Sequence, residues 1–234
     1  MSETLPTSFS PPRSVLITGG TGYLGRALVP ELVARGHRVR VLVRARAEGK
    51  IARGTEAVAG NPLETASVAA ARGDADTVVH LVGVPKPSPA KAAQFRAIDL
   101  VSIQATVAAM AERVQRGGAA RPHLVYLSVA QPAPVMRAYV AVRAEGEALI
   151  RARGLDATCL RPWYVIGPGH RWPLVLAPIY AVLRWIPATR AGAERLGFVT
   201  LAQMTAALVR AVERGGSGVR VVEVPEIRAA ALAR

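Results

Sequence analysis

The chain predicts an α/β fold built on a doubly wound parallel sheet, and two observations carry that expectation. An apolar run from Val15 to Ile17 meets a turn holding Gly19, Gly20, Gly22 and Gly25, and an apolar stripe with helical spacing follows at Leu24, Leu28, Leu32 and Val33. Downstream, short continuous apolar runs alternate with longer helical patterns. Right-handed crossovers turn that alternation into a parallel sheet covered on both faces.

The first unit is strand, turn, helix. Its glycines let backbone approach a pyrophosphate, and the helix behind the turn offers unpaired N–H groups and the positive end of its dipole. The turn fits Gly-x-Gly-x-x-Gly at Gly20, Gly22 and Gly25, and Gly-x-x-Gly-x-x-Gly at Gly19, Gly22 and Gly25. A nucleoside triphosphatase loop ends in Gly-Lys-Ser/Thr, and this turn has no lysine. A tight turn without a ligand is the other reading of the same glycines. The string TGGTGYLG, Thr18 to Gly25, resembles the cofactor loop of extended and atypical short-chain dehydrogenase/reductases. That resemblance assigns a dinucleotide to Gly19, Thr21, Gly22 and Gly25, with the backbone amides of Tyr23 and Leu24 at the pyrophosphate.

Gly36 ends the helix, and Arg38 to Val43 reads as the second strand. In dinucleotide folds an acid closing this strand bonds the ribose 2′-hydroxyl, whereas an arginine accepts a 2′-phosphate. Arg44 stands there, with Arg46 behind it and no acid until Glu48, so NADP(H) is expected over NAD(H). A solvated arginine is the alternative. Glu56 to Ala59 reads as the third strand, followed by Gly60-Asn61-Pro62-Leu63. The family carries an acid and then an apolar residue here, against the adenine; Asn61 can accept the same bond through its amide oxygen with Leu63 over the ring, or Asn-Pro is simply a turn.

A helix is expected over Leu63 to Arg72 and a fourth strand over Asp76 to Leu81. By resemblance its end passes under the nicotinamide ribose at Val82 and Gly83, while His80 before it packs rather than catalyses. Pro85 to Pro89 makes a stiff rim. One long helix is expected from Gln94 to Arg116, with Phe95, Ile98, Val101, Ala105, Ala108 and Ala109 inward and Gly117-Gly118 as its stop. Leu124 to Leu127 is the fifth strand, Pro134 opens a helix running to Arg153, and Ala157 to Leu160 is the sixth strand.

The family's chemistry needs a tyrosine as general acid or base and a lysine four residues on. Because a free tyrosine titrates at about 10, a neighbouring cation helps it move a proton near neutrality. This chain has Tyr139-Val-Ala-Val-Arg143, whose i, i+4 spacing puts both side chains on one helix face. Arg143 supplies charge but is not interchangeable with lysine, and Glu147 four residues further offers an ordinary helical ion pair. Ser128 lies near the family's carbonyl-polarising hydroxyl, which usually falls just after it, where Val129 and Ala130 stand.

The segment LRPWYVIGPG, Leu160 to Gly169, resembles the family's Arg-Pro-x-x-Val-x-Gly-Pro-Gly signature and assigns Pro162 to the nicotinamide amide. It opens the lobe expected over residues 162–200, inside one NAD(P)-binding unit over 13–234 that follows a loose tail over 1–12. Pro173 to Pro187, PLVLAPIYAVLRWIP, is too short and broken to span a bilayer, which needs about 20 apolar residues. A lid over an apolar substrate, a peripheral membrane patch aided by Trp172 and Trp185, and a core helix remain its three readings. Gly197 to Thr200 leads into a helix from Leu201 to Arg214, and a last strand from Val219 to Val224 ends at Pro225.

With 234 residues, 51% of them hydrophobic, the chain can bury a full core. The net charge of +14 comes from arginines spread along the chain and no recognised nucleic-acid module accompanies it, so nucleic-acid binding is not expected. The single cysteine, Cys159, fits a reducing, cytoplasmic setting and a core position, and four scattered histidines make a metal site unexpected. Two functional classes stay open: an NAD(P)-dependent oxidoreductase or epimerase-like enzyme using Tyr139, and a non-catalytic NADP(H)-binding module for sensing or assembly.

Overall fold

The computed structural model describes residues 11–44, 51–115 and 121–232; the expected tail up to residue 10, Arg46, Glu48 and the Gly117-Gly118 stop lie outside the described residues. The strands are β1 (Ser14–Thr18), β2 (Arg38–Val43), β3 (Glu56–Ala59), β4 (Thr77–His80), β5 (His123–Leu127), β6 (Ala157–Arg161), β7 (Tyr164–Ile166), β8 (Phe198–Thr200) and β9 (Val219–Glu223). Seven of them form one parallel sheet in the order β3-β2-β1-β4-β5-β6-β9, and β7 and β8 pair separately. The chain runs outward from β1 to β3 and returns to β4 on the other side of β1. The strand order therefore reverses between β1 and β4, where such sheets open a crevice beyond the strand ends.

Alternation along β1 sorts the two cores. Val15 and Ile17 face the layer of α1 (Tyr23–Ala34) and, as those elements arrive, α8 (Leu201–Arg214) and α9 (Val224–Ala229), packing with Leu28, Leu32, Met204, Leu208 and Ile227. Leu16 faces α2 (Thr65–Arg72), α4 (Val101–Gln115) and α5 (Arg137–Ala152), packing with Val68, Ile103, Met110, Val142 and Ile150. Cys159 is fully buried in the second layer, and burial pushes its thiol up to about 12.

Three expected boundaries are corrected. The single helix over Gln94 to Arg116 is instead a short α3 (Ala92–Gln94), a π-helical segment (Phe95–Leu100) and α4. The wider turn changes which face points inward, so Asp99, Ser102 and Thr106 are completely buried while Ile98 and Val101 are only half-buried. Pro134 does not open α5; the helix starts after Met136, which holds a left-handed φ of 57°. Pro225 does not merely stop the last strand but sits in the first turn of α9, where its missing N–H has no helical partner to lose.

The lobe forms a turn over Trp172–Leu176, α6 (Ala177–Trp185) and α7 (Pro187–Arg195). Trp185 is 83% exposed and Val175 79%, so the core-helix reading of this stretch fails. Thr200 ends β8 and caps α8 reciprocally: its Oγ1 accepts from the Gln203 amide at 3.1 Å, and its own amide donates to Gln203 Oε1 at 2.8 Å.

One buried carboxylate ties the far half of the sheet together. Glu147 on α5 accepts from Ser128 Oγ at 2.6 Å, Gln131 Nε2 at 2.9 Å, Arg161 Nε and Nη2 at 2.8 and 2.6 Å, and Arg151 Nη2 at 3.0 Å. Arg161 Nη1 donates onward to Glu223 at the end of β9. Burial works against the charge of Glu147, but the hydrogen bonds from Arg161 and Ser128 outweigh it and hold the carboxyl below the usual carboxylate range. Glu147→Gln should therefore destabilise the protein by about 3 kcal/mol at neutral pH, because it leaves Arg161 without its buried partner. A group with a depressed folded pKa stabilises above its unfolded pKa, and that contribution disappears as pH falls through the folded one. Melting curves of the two proteins should accordingly converge on acidification; a gap that stays constant down to acid pH would show that the charge of Glu147 does not stabilise the fold.

Candidate functional site

The glycine turn divides its labour. Gly19 has a φ of 78°, and a Cβ there would come within 2.8 Å of the Leu81 carbonyl carbon and 2.9 Å of the Val82 amide. This glycine lets the turn press onto the end of β4 at the crevice. A Cβ on Gly25 would strike the backbone of Gly20, so Gly25 lets α1 pack on the turn. Gly22 differs from both: it is exposed, and a Cβ would meet only Gly19 O, at 3.1 Å. Gly22 is also the N-cap of α1, with no side-chain cap and no acid in the first turn. The amides of Tyr23 and Leu24 thus remain without helical acceptors at an electropositive helix end. Thr21 bends beside them, its carbonyl accepting from Arg26 Nε at 2.9 Å. Bare glycine backbone in front of an uncapped helix fits a pyrophosphate.

Tyr139 and Arg143 share a face of α5, and that face looks onto the ends of β4 and β5. Arg143 is 2% exposed and donates from Nη1 to Leu127 O at 2.8 Å, from Nη2 to Asp99 Oδ1 at 2.6 Å and to Val82 O at 3.4 Å. Its guanidinium carbon lies 5.2 Å from the ring centre of Tyr139, whose ring also meets Phe95 at 5.1 Å. The Arg143–Glu147 pair allowed by spacing does not form: Arg143 takes Asp99, and Glu147 takes Arg151 and Arg161. Burial opposes the charge on Arg143, but Tyr139, Tyr126 and Asp99 outweigh it and hold the guanidinium above its ordinary pKa. Burial likewise pushes the Asp99 carboxyl up, against the pull of Arg143 and of the Val84 amide at 2.9 Å.

The remaining expected residues divide. Arg44 stands exposed just past β2, and Pro162 is buried with its carbonyl accepting from the Ala130 amide at 3.0 Å. Ser128 is buried and donates to Glu147 rather than standing free. Asn61 shapes its own turn: its Oδ1 accepts from the Leu63 amide at 3.1 Å and its Nδ2 donates to Glu64 at 2.7 Å, leaving one lone pair on Oδ1 beside half-buried Leu63. Val82 and Gly83 do sit at the end of β4, but Gly83 has a further duty, since a Cβ there would strike Arg143 Nη2. His80 is fully buried among the hydroxyls of Thr18, Thr106 and Ser102, and burial lowers its pKa to about 3, so it packs as a neutral ring.

Two residues absent from the sequence expectations complete the site. Asp99 is the counter-ion of Arg143; its only sequence signal is an acid inside the apolar run Ile98-Asp-Leu-Val101. His170 packs on Tyr23 in a tilted arrangement with ring centres 4.2 Å apart, and a Cβ on Gly167 would strike Tyr23 Oη. The glycine turn and the signature segment are therefore in direct contact.

Sheet order, switch-point crevice and bare helix start together define a dinucleotide-binding α/β protein of the Rossmann type. The chain belongs to the NAD(P)H-binding family, whose model matches residues 19–169. It is 31% identical over 169 residues to the ceramide reductase of Caulobacter vibrioides, covering 71% of this chain and 51% of that protein, so the chain spans about half the length of this curated relative. Its fold matches the Bordetella bronchiseptica enzyme WbmH in complex with NAD+, with a TM-score of 0.65 at 22% identity, covering 89% of this chain and 75% of that one. The UDP-N-acetylglucosamine 4-epimerase of Bacillus cereus matches with a TM-score of 0.63 at 17% identity, covering 90% and 75%.

Gly22 offers a clean test of the turn. Gly22→Val meets only Gly19 O, at 3.1 Å, so the melting temperature should fall little while dinucleotide affinity falls by about 100-fold or more, ~2.8 kcal/mol. Gly25→Val, which strikes Gly20, should instead unfold the protein. Calorimetry showing wild-type affinity in a folded Gly22→Val protein would remove the turn from the binding site.

Proposed function

We propose that the protein is an NADP(H)-dependent oxidoreductase that interconverts a carbonyl and an alcohol on an apolar substrate, with Tyr139 as the group that gives or takes the proton. The observation that carries this reading is the shared face of Tyr139 and Arg143 at the ends of β4 and β5, with Arg143 in contact with Val82 O and Leu127 O. A bound dinucleotide supplies or accepts the hydride. The Tyr23 and Leu24 amides would hold its pyrophosphate, and Arg44 would pair with a 2′-phosphate.

Arg143 donates along fixed bonds to Asp99 and Leu127 O, so it positions Tyr139 and lends it positive charge from behind the ring. Carbonyl polarisation falls to the Tyr139 hydroxyl, because Ser128 is committed to Glu147 and buried Val129 and Ala130 follow it. On the substrate side the lobe brings together Tyr164, Trp172, Tyr180 and Phe198, with ring centres 4.9 to 5.7 Å apart. Aromatic walls favour an apolar carbonyl compound over a nucleotide sugar, in keeping with a relative named for ceramide reduction.

The captive Ser128 favours a second reading, a dinucleotide-binding module without turnover. In a direct comparison of NADPH oxidation over long-chain carbonyl substrates, Tyr139→Phe should lose 10²- to 10⁴-fold in kcat, roughly 3 to 5 kcal/mol, and keep its affinity for NADPH, since the ring contacts survive. Turnover left intact by Tyr139→Phe would end the proposed role of the hydroxyl, and a wild type that binds NADPH but turns over nothing would establish the binding module.

Cofactor choice is separately testable. Arg44→Ala should weaken NADPH by roughly tenfold through loss of one exposed charge-assisted contact, about 1.4 kcal/mol, and leave NADH almost unchanged. Equal losses for the two dinucleotides would mean that Arg44 does not read the 2′-phosphate.

A further inference from the structure

Trp172, Val175, Ile179, Val182, Trp185 and Ile186 are all large, apolar and exposed, between 44% and 83%. At 3.6 residues per turn, Ile179, Val182, Trp185 and Ile186 fall within about a third of the circumference of α6 and its end, and Val175 precedes them on the same side. The opposite side is the inward one: Leu176, Tyr180 and Leu183 are half-buried, with Tyr180 against Phe198 at 4.9 Å. The stripe is thus a second apolar face on a helix whose first face is already packed. Its composition, with two tryptophans among aliphatic residues, is that of a helix lying at a lipid–water boundary.

Charge decides among the possible occupants. From Pro162 to Ala193 the chain carries Arg171, Arg184 and Arg190 and no acidic residue, within a protein of net charge +14. A second copy would bring the same sign against itself, whereas an anionic surface is complementary. The nine residues of α6 span about 14 Å, half of a hydrocarbon core of about 30 Å, and among the described residues no helix is long and apolar enough to cross a membrane. Such a helix can lie on a bilayer and cannot traverse it.

We infer that the stripe from Trp172 to Ile186 docks the protein on the surface of an anionic phospholipid bilayer, with α6 parallel to the membrane plane. This inference does not depend on the catalytic reading. If that reading also holds, docking brings the aromatic lobe, joined to the stripe by the Tyr164–Trp172 contact at 5.5 Å, to a substrate dissolved in lipid.

The test is co-sedimentation with vesicles of phosphatidylcholine alone and of phosphatidylcholine and phosphatidylglycerol in equal parts, without cofactor or substrate. Wild type should bind the mixed vesicles, release at high salt and shift its tryptophan emission to the blue on binding. Val182→Glu/Trp185→Glu, at exposed positions, should keep the wild-type melting temperature and bind at least about tenfold more weakly. Failure of wild type to sediment with mixed vesicles, or equal sedimentation of both proteins, would overturn the inference. So would a wild-type dimer in sedimentation equilibrium that the double substitution abolishes without any vesicle binding, which would make a second copy the occupant.

Discussion

A guanidinium sealed from water needs a counter-charge and acceptors for its donors, and the placement of Arg143 imposes those needs on three separate parts of the fold. The counter-charge is Asp99, brought inward by the π-helical segment Phe95–Leu100; the acceptors are the Leu127 and Val82 carbonyls at the ends of β5 and β4. Gly83 must lack a side chain to make room. The Val84 amide, by donating to the other Asp99 oxygen, fixes the loop that leaves β4. One buried cation therefore sets the helix register, the strand exits and the position of Tyr139 above it.

Local pattern made most of the sheet legible. Strands buried on both faces read as apolar runs, and a glycine turn between strand and helix has few other uses, so β1, α1 and β2 fell where spacing put them. Polar contacts across the fold left no such trace. Nothing in the helical period distinguishes Asp99 from a solvated acid, and the π-helical segment that turns it inward has no hydrophobic signature. Spacing alone offered Glu147 to Arg143, and partners from the end of β5 and from β6 outcompeted it: Ser128, just past β5, and Arg161 with two bonds to one carboxylate. Pro225 was ambiguous for a related reason, because a proline ends a strand and opens a helix by the same missing N–H.

Tyr23 links two parts of the site that lie far apart in the chain. Its amide belongs to the bare start of α1, while its ring packs on His170 and its hydroxyl sits over Gly167, in the segment that opens the lobe. Burial raises the Tyr23 phenol and leaves its oxygen without a hydrogen-bond partner among the described residues, so the contact is one of packing. The glycine turn is thereby packed directly on the start of the lobe, where Tyr164 also meets Trp172 at 5.5 Å.

The exchange of lysine for arginine has an electrostatic consequence that the Asp99 contact makes explicit. An isolated ammonium beside a tyrosine acts as a monopole, whose influence falls with the first power of distance. Arg143 and Asp99, 2.6 Å apart and both sealed from solvent, are nearly neutral as a unit, and what reaches the ring of Tyr139 is mainly the field of a dipole with its positive end nearer. That field is weaker and more directional than an ammonium's, yet it needs no reorganisation, because Leu127 O and Val82 O hold the guanidinium in place. The arrangement exchanges strength of charge for rigidity of position.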